Sequence, residues 1–286
     1  MSGSASNYVR AGDLQLHVQD WGTRGNPPLI FLHGLASTSH MFDLIAPAFA
    51  TNYHVLAADQ RGHGLSDKPD NGYDFETIAG DLDGLLDSLG FSRRDIVLAG
   101  HSWGAYTTLY YAATRPQRIA KAILLDGGIR VHQDRFPTWE EAEKGMAPPR
   151  NINMSVDDIK RRIRERWLGD AFRPELEPLA LSIYDLSDPL HVHAHLSFDN
   201  HMQIARHLWA FRPPDYYARV RCPVLIVNAV APGTTVDPQL RKYADQAQQQ
   251  LKQAEVIWMR DTIHDIPWHR PSELVEVMDR FLQLPG

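Results

Sequence analysis

An α/β fold, with a mostly parallel central sheet flanked by helices, follows from three features of this 286-residue sequence. Short continuous apolar runs recur at residues 29–32, 53–58, 96–99, 122–125 and 224–227. Apolar runs without alternation are what strands buried on both faces require. Helix-length stretches of mixed polarity separate the first four, the spacing of strand–helix–strand crossovers. Residues 129–219 break this alternation, with no convincing buried strand but several helical patterns, and so predict a helical insertion over the sheet. The expected organisation is a core domain of residues 1–128 and 220–286, with 129–219 as an inserted helical lid. The plainer alternative is that these helices belong to the outer layer of the core.

Taken in order, residues 14–21 (LQLHVQDW) alternate apolar and polar positions and predict a half-buried antiparallel edge strand. Ile78, Leu82, Leu85, Leu86 and Leu89 recur with a helical period, and Gly90 supplies the stop. Within the insertion, Ser155-Val156-Asp157-Asp158 has the form of a capping box opening a helix to about residue 168. Pro174 begins a second candidate and residues 200–209 form a third. Residues 246–250 (QAQQQ) read as an exposed helix face, and residues 272–282 as an amphipathic helix after the apolar run 256–259.

Composition narrows the function classes. Lys+Arg 29 against Asp+Glu 35 gives a net charge of −6, the wrong sign for a nucleic-acid binder. Cys222 stands alone, which excludes an internal disulfide framework and a multi-cysteine metal site. No apolar run reaches the roughly 18 residues of a membrane span. Residues 1–7 lack the basic and apolar regions of a secretion signal. The expectation is a cytoplasmic enzyme acting on a small molecule.

The strand at 96–99 runs into Gly100-His101-Ser102-Trp103-Gly104 and then into a helical stretch, 105–114. A G-x-S-x-G between strand and helix makes a turn sharp enough to strain the serine, with glycines where the chain passes too close for a side chain. The hydroxyl is then held above the sheet at a helix N-terminus, where N–H groups can meet a developing negative charge. Upstream, the strand at 29–32 empties into His33-Gly34-Leu35, so the backbone N–H groups of Leu35 and Trp103 are the candidate oxyanion hole.

Phe31-Leu32-His33-Gly34, Asp59-Gln60-Arg61-Gly62-His63-Gly64-Leu65-Ser66, the Ser102 turn, and His264 followed by Pro271 together resemble the α/β-hydrolase superfamily over essentially the whole chain. The resemblance implies a Ser-acid-His triad and no cofactor or metal. Asp59 and Arg61 would shape the loop near the site without taking part in chemistry. His264, in Asp261-Thr262-Ile263-His264, stands where the family carries its catalytic base, although Ile263 replaces the usual small glycine. His269 is the nearest rival. For the acid, the stretch after the strand at 224–227 reads Asn228-Ala229-Val230-Ala231-Pro232-Gly233, without the carboxylate most relatives place there. Asp126, at the end of the preceding strand, matches a minority of the superfamily that includes some haloalkane dehalogenases and zearalenone-type lactonases. Asp237, further along the usual loop, is the other candidate. A buried carboxylate at a strand end needs a partner, which the His264 ring can provide, so Asp126 is preferred.

The activity implied is ester hydrolysis through an acyl-enzyme. A serine at position 102 is incompatible with the dehalogenases and epoxide hydrolases of this fold, whose nucleophile is an aspartate. A lactonase would use the same triad. A carbon–carbon bond hydrolase would need a cation near the pocket, but Arg161, Arg162, Arg164 and Arg166 read more simply as a solvated helix face. An aminopeptidase would need lid acids, for which Glu140, Glu141 and Glu143 are available. A hormone-receptor member of the fold would bind with little turnover. His191, His193 and His195 alternate in a metal-like way without further ligands, and read as lid surface. Phe136, Met146 and Tyr184 belong mainly to packing, and His33, Gly34, Trp139, Trp209 and Trp268 are the expected pocket walls.

Overall fold

The computed structural model describes residues 3–91, 95–149 and 154–284. Eight strands form one sheet in the order β1-β2-β4-β3-β5-β6-β9-β10. They are β1 (Ala5–Ala11), β2 (Leu14–Asp20), β3 (Pro28–Leu32), β4 (His54–Ala58), β5 (Ile96–His101), β6 (Ile119–Leu125), β9 (Val224–Val230) and β10 (Ala254–Arg260). From β4 to β10 every pairing is parallel. The apolar runs of β3 and β4 are buried at every position, as strands covered on both faces must be.

The alternating strand is antiparallel, as expected, but it is not the edge. β1 pairs along its full length with β2 and takes the edge position. Its sequence, ASNYVRA, has one well-buried residue, at its end, so no apolar pattern announced it. A largely exposed edge strand has little reason to carry one.

Helices Phe75–Ser88, Trp103–Thr114 and Pro238–Gln250 cover one face of the sheet. The other face is covered by Ala46–Phe49 and Pro271–Gln283, together with Ile159, Ile163 and Leu176 from the segment between β6 and β9. Asp74 caps the first of these helices by accepting from Thr77 N.

Among its described residues, the segment between β6 and β9 adds no strand to the main sheet. It holds Trp139–Met146, Val156–Arg162, Leu176–Leu181 and Phe198–Ala210, and a two-residue antiparallel pair, β7 (Tyr184–Asp185) with β8 (His193–Ala194). Ser155 and Asp158 form the capping box read from the sequence. That helix does not continue as α: over Ile163–Leu168 it widens into π-helix and stops at Gly169, whose φ is 51°. Single π turns interrupt helices mostly at functional positions, because they re-aim the side chains of one turn. Among the described residues, no helix is long and apolar enough to cross a membrane.

Candidate active site

Parallel strands end on the same side of a sheet, and ligands of such folds bind outside those carboxyl ends. Here β3, β5, β6 and β10 deliver His33-Gly34, Ser102, Asp126 and His264 to that one edge, which is how residues far apart in sequence converge.

Ser102 has φ 53° and ψ −118° and caps the helix Trp103–Thr114. That strained backbone is held from both sides. Its N–H donates to Leu125 O at 2.8 Å, and Ala105 N–H donates to its carbonyl. A Cβ at Gly100 would lie 2.0 Å from Gly104 O, and one at Gly104 would lie 2.1 Å from Leu32 O. Both glycines of the motif are therefore demanded by backbone contact. Among the described residues, neither Leu35 N–H nor Trp103 N–H is given to a protein acceptor. Both remain available to an oxyanion.

Asp126 is the carboxylate that the fold brings to His264. Its Oδ2 lies 2.5 Å from His264 Nδ1, and its Oδ1 accepts from Ala229 N at 2.9 Å. The residue sits at φ 44°. Gly127 follows because a Cβ there would fall 2.3 Å from Ser102 O. The Asp-Gly-Gly turn is thus both a turn and the acid's mounting. Asp237 is elsewhere: it caps the helix Pro238–Gln250 through Gln239 N and reaches Arg130 at 3.4 Å, half exposed. His269 Nδ1 braces Thr262 and Ile263 N, holding the loop that carries His264.

The electrostatics of the pair are reciprocal. Burial works against the Asp126 carboxylate, but the His264 hydrogen bond and the Ala229 N–H outweigh it and hold the pKa below the usual carboxylate range. Partial desolvation of His264 lowers its pKa, and the bond to Asp126 overcomes this, so the ring is raised above the ordinary imidazole value. His101 lies behind this ring, with centroids 4.7 Å apart, and its Nε2 lies 2.9 Å from His264 O. A carbonyl only accepts, so Nε2 carries the proton. Burial and the neighbouring His264 push His101 down to about 4, which keeps it neutral.

Ser102 and His264 face a chamber of about 450 Å³, also lined by Gly34, Leu35, Trp167 and Asp265. A larger cavity of about 1030 Å³ adjoins it, with Ala36, Ser37 and Trp167 common to both walls. Gly34 is thus the expected pocket residue that lines the chamber. His33 is fully buried, its Nδ1 on Gly34 O and its Nε2 accepting from Gln60 N, so it shapes the turn from behind. Trp268 is 1% exposed and gives its indole N–H to His40 O, packed beneath the site. Trp139 and Trp209 pack against each other at a tilt, and Trp209 N–H is spent on Phe136 O, so both stiffen the segment between β6 and β9 away from the two cavities. The tryptophan that does reach the chamber is Trp167. Its indole N–H donates to Asp265 Oδ2 at 2.7 Å, beside His264. It was not among the expected pocket walls, and it lies within the π-helical stretch Ile163–Leu168.

Asp59 and Arg61 occupy the bracing positions anticipated. Asp59 accepts from Ser39 N and Leu65 N and pairs with His17, and Arg61 forks onto Asp81 with two 2.7 Å bonds. Glu140, Glu141 and Glu143 are exposed and line neither cavity; Glu141 closes the capping box of its own helix. Among the described residues, no group of three metal-ligating side chains converges. His191 pairs with Asp188, and His193 and His195 line the larger cavity.

Residues 27–179 match the family described as alpha/beta hydrolase fold. The 2-(acetamidomethylene)succinate hydrolase of Mesorhizobium japonicum is 36% identical over 121 residues, 42% of this chain and 42% of that protein. The non-heme chloroperoxidase of Streptomyces lividans is 38% identical over 126 residues, 43% of this chain and 45% of that protein. Each alignment spans less than half the length of the curated relative. The crystal structure of E-2-(acetamidomethylene)succinate hydrolase superposes with a TM-score of 0.81 at 24% identity, over 98% of this chain and 100% of that one. The enol-lactonase from Burkholderia xenovorans LB400 superposes with a TM-score of 0.70 at 20% identity, over 97% and 100%. At these identities the likeness is one of fold.

Proposed function

Since the chain belongs to the α/β hydrolase fold family, we propose that it is a serine hydrolase that cleaves carboxylic esters through an acyl-enzyme on Ser102. The observation that carries this reading is the 2.5 Å Asp126–His264 contact beside a strained Ser102, with serine and imidazole opening onto one chamber.

The roles follow from the chemistry of each group. A serine hydroxyl is a weak nucleophile at neutral pH and needs a base. Asp126 holds Nδ1–H of His264, which leaves Nε2 as the free lone pair. Nε2 takes the Ser102 proton as Oγ attacks the ester carbonyl, and the Leu35 and Trp103 N–H groups receive the oxyanion. The imidazolium, stabilised by Asp126, then protonates the leaving alcohol. Water repeats the cycle on the acyl-enzyme, releasing the acid and restoring Ser102. Epoxide opening through an alkyl-enzyme ester would need a carboxylate where this chain has Ser102. The aminopeptidase reading loses its premise, since Glu140, Glu141 and Glu143 stand off the cavities. A lactone is a cyclic ester and would use the same atoms.

The test is hydrolysis of 4-nitrophenyl acetate and butyrate by wild type and Ser102→Ala, with a phosphonate probe and mass spectrometry to locate the label. Turnover lost in Ser102→Ala, and a single phosphonyl group on Ser102, are expected. Wild-type activity at the level of Ser102→Ala would sink the reading and favour a binding role.

A further inference from the structure

We infer that the substrate carries a second, anionic group, a carboxylate, and that Arg166 receives it in the larger cavity while the ester lies at Ser102. This rests on the hydrolase reading above and adds the substrate class.

The four arginines of one helical stretch divide between two environments. Arg161 pairs with Asp158, and Arg164 with Glu177. Those two are the solvated face expected of such a run. Arg162 and Arg166 instead line the larger cavity, alongside Ile163 and Trp167. The division follows helical spacing: residues 162 and 166, like 163 and 167, are four apart and share one face of the helical stretch. Among the described residues, Arg166 has no ion-pair partner, whereas its neighbours Arg161 and Arg164 do.

Charge is concentrated there against the trend of the molecule. The chain carries a net −6, yet the formally charged residues of this wall are Arg162 and Arg166 against Asp199 alone. A guanidinium is always charged and offers a planar fork that matches a carboxylate with two parallel bonds. Position relative to the reacting atoms is set by the shared wall. Arg166 is followed directly by Trp167, Trp167 lines both spaces, and its indole is tied to Asp265 beside His264. A substrate with its ester at Ser102 and a tail passing Ala36, Ser37 and Trp167 would bring the tail's end to Arg166.

Two ester pairs separate charge from size. Mono-4-nitrophenyl adipate and suberate are set against 4-nitrophenyl hexanoate and octanoate, which place a methyl where the acids place a carboxylate. The expected result is a kcat/KM at least tenfold higher for one acid ester than for its neutral match. That ratio should fall about tenfold in Arg166→Gln and decline with added salt. A wild-type ratio near one, or a ratio that Arg166→Gln does not move, overturns the inference even when Ser102-dependent turnover of the neutral esters shows the hydrolase reading intact. If no ester is cleaved, the hydrolase reading fails separately, and calorimetry with adipate decides: binding weakened about tenfold in Arg166→Gln sustains the anion site, and equal or absent binding removes it.

Discussion

Of the histidine–aspartate pairs in this molecule, His17–Asp59 and His264–Asp126 are alike in their atoms and opposite in their surroundings. In one, His17 Nδ1 lies 2.9 Å from Asp59 Oδ2; in the other, His264 Nδ1 lies 2.5 Å from Asp126 Oδ2. Both carboxylates also accept backbone N–H groups, and both are held below the usual carboxylate pKa by those bonds and their histidines despite burial. The second ring nitrogen is what separates them. His17 Nε2 is bonded to Ser6 Oγ at 2.8 Å, and its side chain is 1% exposed. No described residue bonds His264 Nε2, and its side chain is 51% exposed toward the chamber. A pair with both nitrogens spent can only brace. A pair with one nitrogen left open can move a proton.

The largest effect that would sharpen this contrast comes from Asp126→Asn. An amide keeps the shape but neither fixes the tautomer nor stabilises the imidazolium, so kcat is expected to drop roughly 10³–10⁴-fold. The pH profile should change with it. The base works as neutral imidazole, and Asp126 raises the His264 pKa, so wild-type activity should rise with pH through a value above the ordinary 6.5. Without the carboxylate, the residual activity should rise at lower pH. Steady-state rates on 4-nitrophenyl butyrate between pH 5 and 9 read both effects, and an inflection that stays put in the variant would break the assignment of Asp126 to His264.

The bracing pair should answer in stability. Asp59→Asn leaves buried His17 without its carboxylate and weakens the bonds from Ser39 N and Leu65 N. Breaking a buried pair from one side costs about 3–5 kcal/mol, read from urea unfolding. The sign of the pH dependence follows from a folded-state pKa held below the unfolded value. The contribution of Asp59 is present above the ordinary Asp pKa of about 3.9 and is lost as pH falls through the folded value. Wild type should therefore lose stability on acidification more steeply than the variant. Equal stability at neutral pH with activity lost on the scale of Asp126→Asn would put the two pairs on the same footing.

Legibility follows the same division. Ser102, Gly100, Gly104 and Asp126-Gly127-Gly128 could be read from the sequence because backbone contacts of 2.0–2.3 Å at Gly100, Gly104 and Gly127, and a φ of 78° at Gly128, disfavour any other residue there. Such constraints leave marks in the letters. The buried strands were legible for a similar reason, since two covered faces force an unbroken apolar run, whereas β1 is mostly exposed and left no mark. The cavity wall was the least legible part. Trp167, Arg162 and Arg166 lie on a polar-looking helical stretch, and a wall is satisfied by any side chain of suitable size and charge. Large aromatics were therefore the natural choice for a pocket, yet Trp139, Trp209 and Trp268 proved to be packing.

The smallest effect tests the contrast from outside. Asp237, further along the loop after β9, was the other candidate acid, and it too accepts a backbone N–H, from Gln239 at 2.9 Å, and faces a cation, Arg130. What it lacks is enclosure. It is 52% exposed, and Arg130 is 41% exposed, so water screens the pair to a value of about 0–1 kcal/mol. Asn is as good an N-cap as Asp, so Asp237→Asn preserves the start of the helix Pro238–Gln250. The expected outcome is an unfolding midpoint and a kcat/KM on 4-nitrophenyl butyrate each within about twofold or 0.5 kcal/mol of wild type. A large loss of kcat would mean that the loop after β9 folds back during turnover and takes over His264. The enclosed Asp126 pair would then be a resting arrangement, and enclosure would no longer tell an acid that serves catalysis from one that caps a helix.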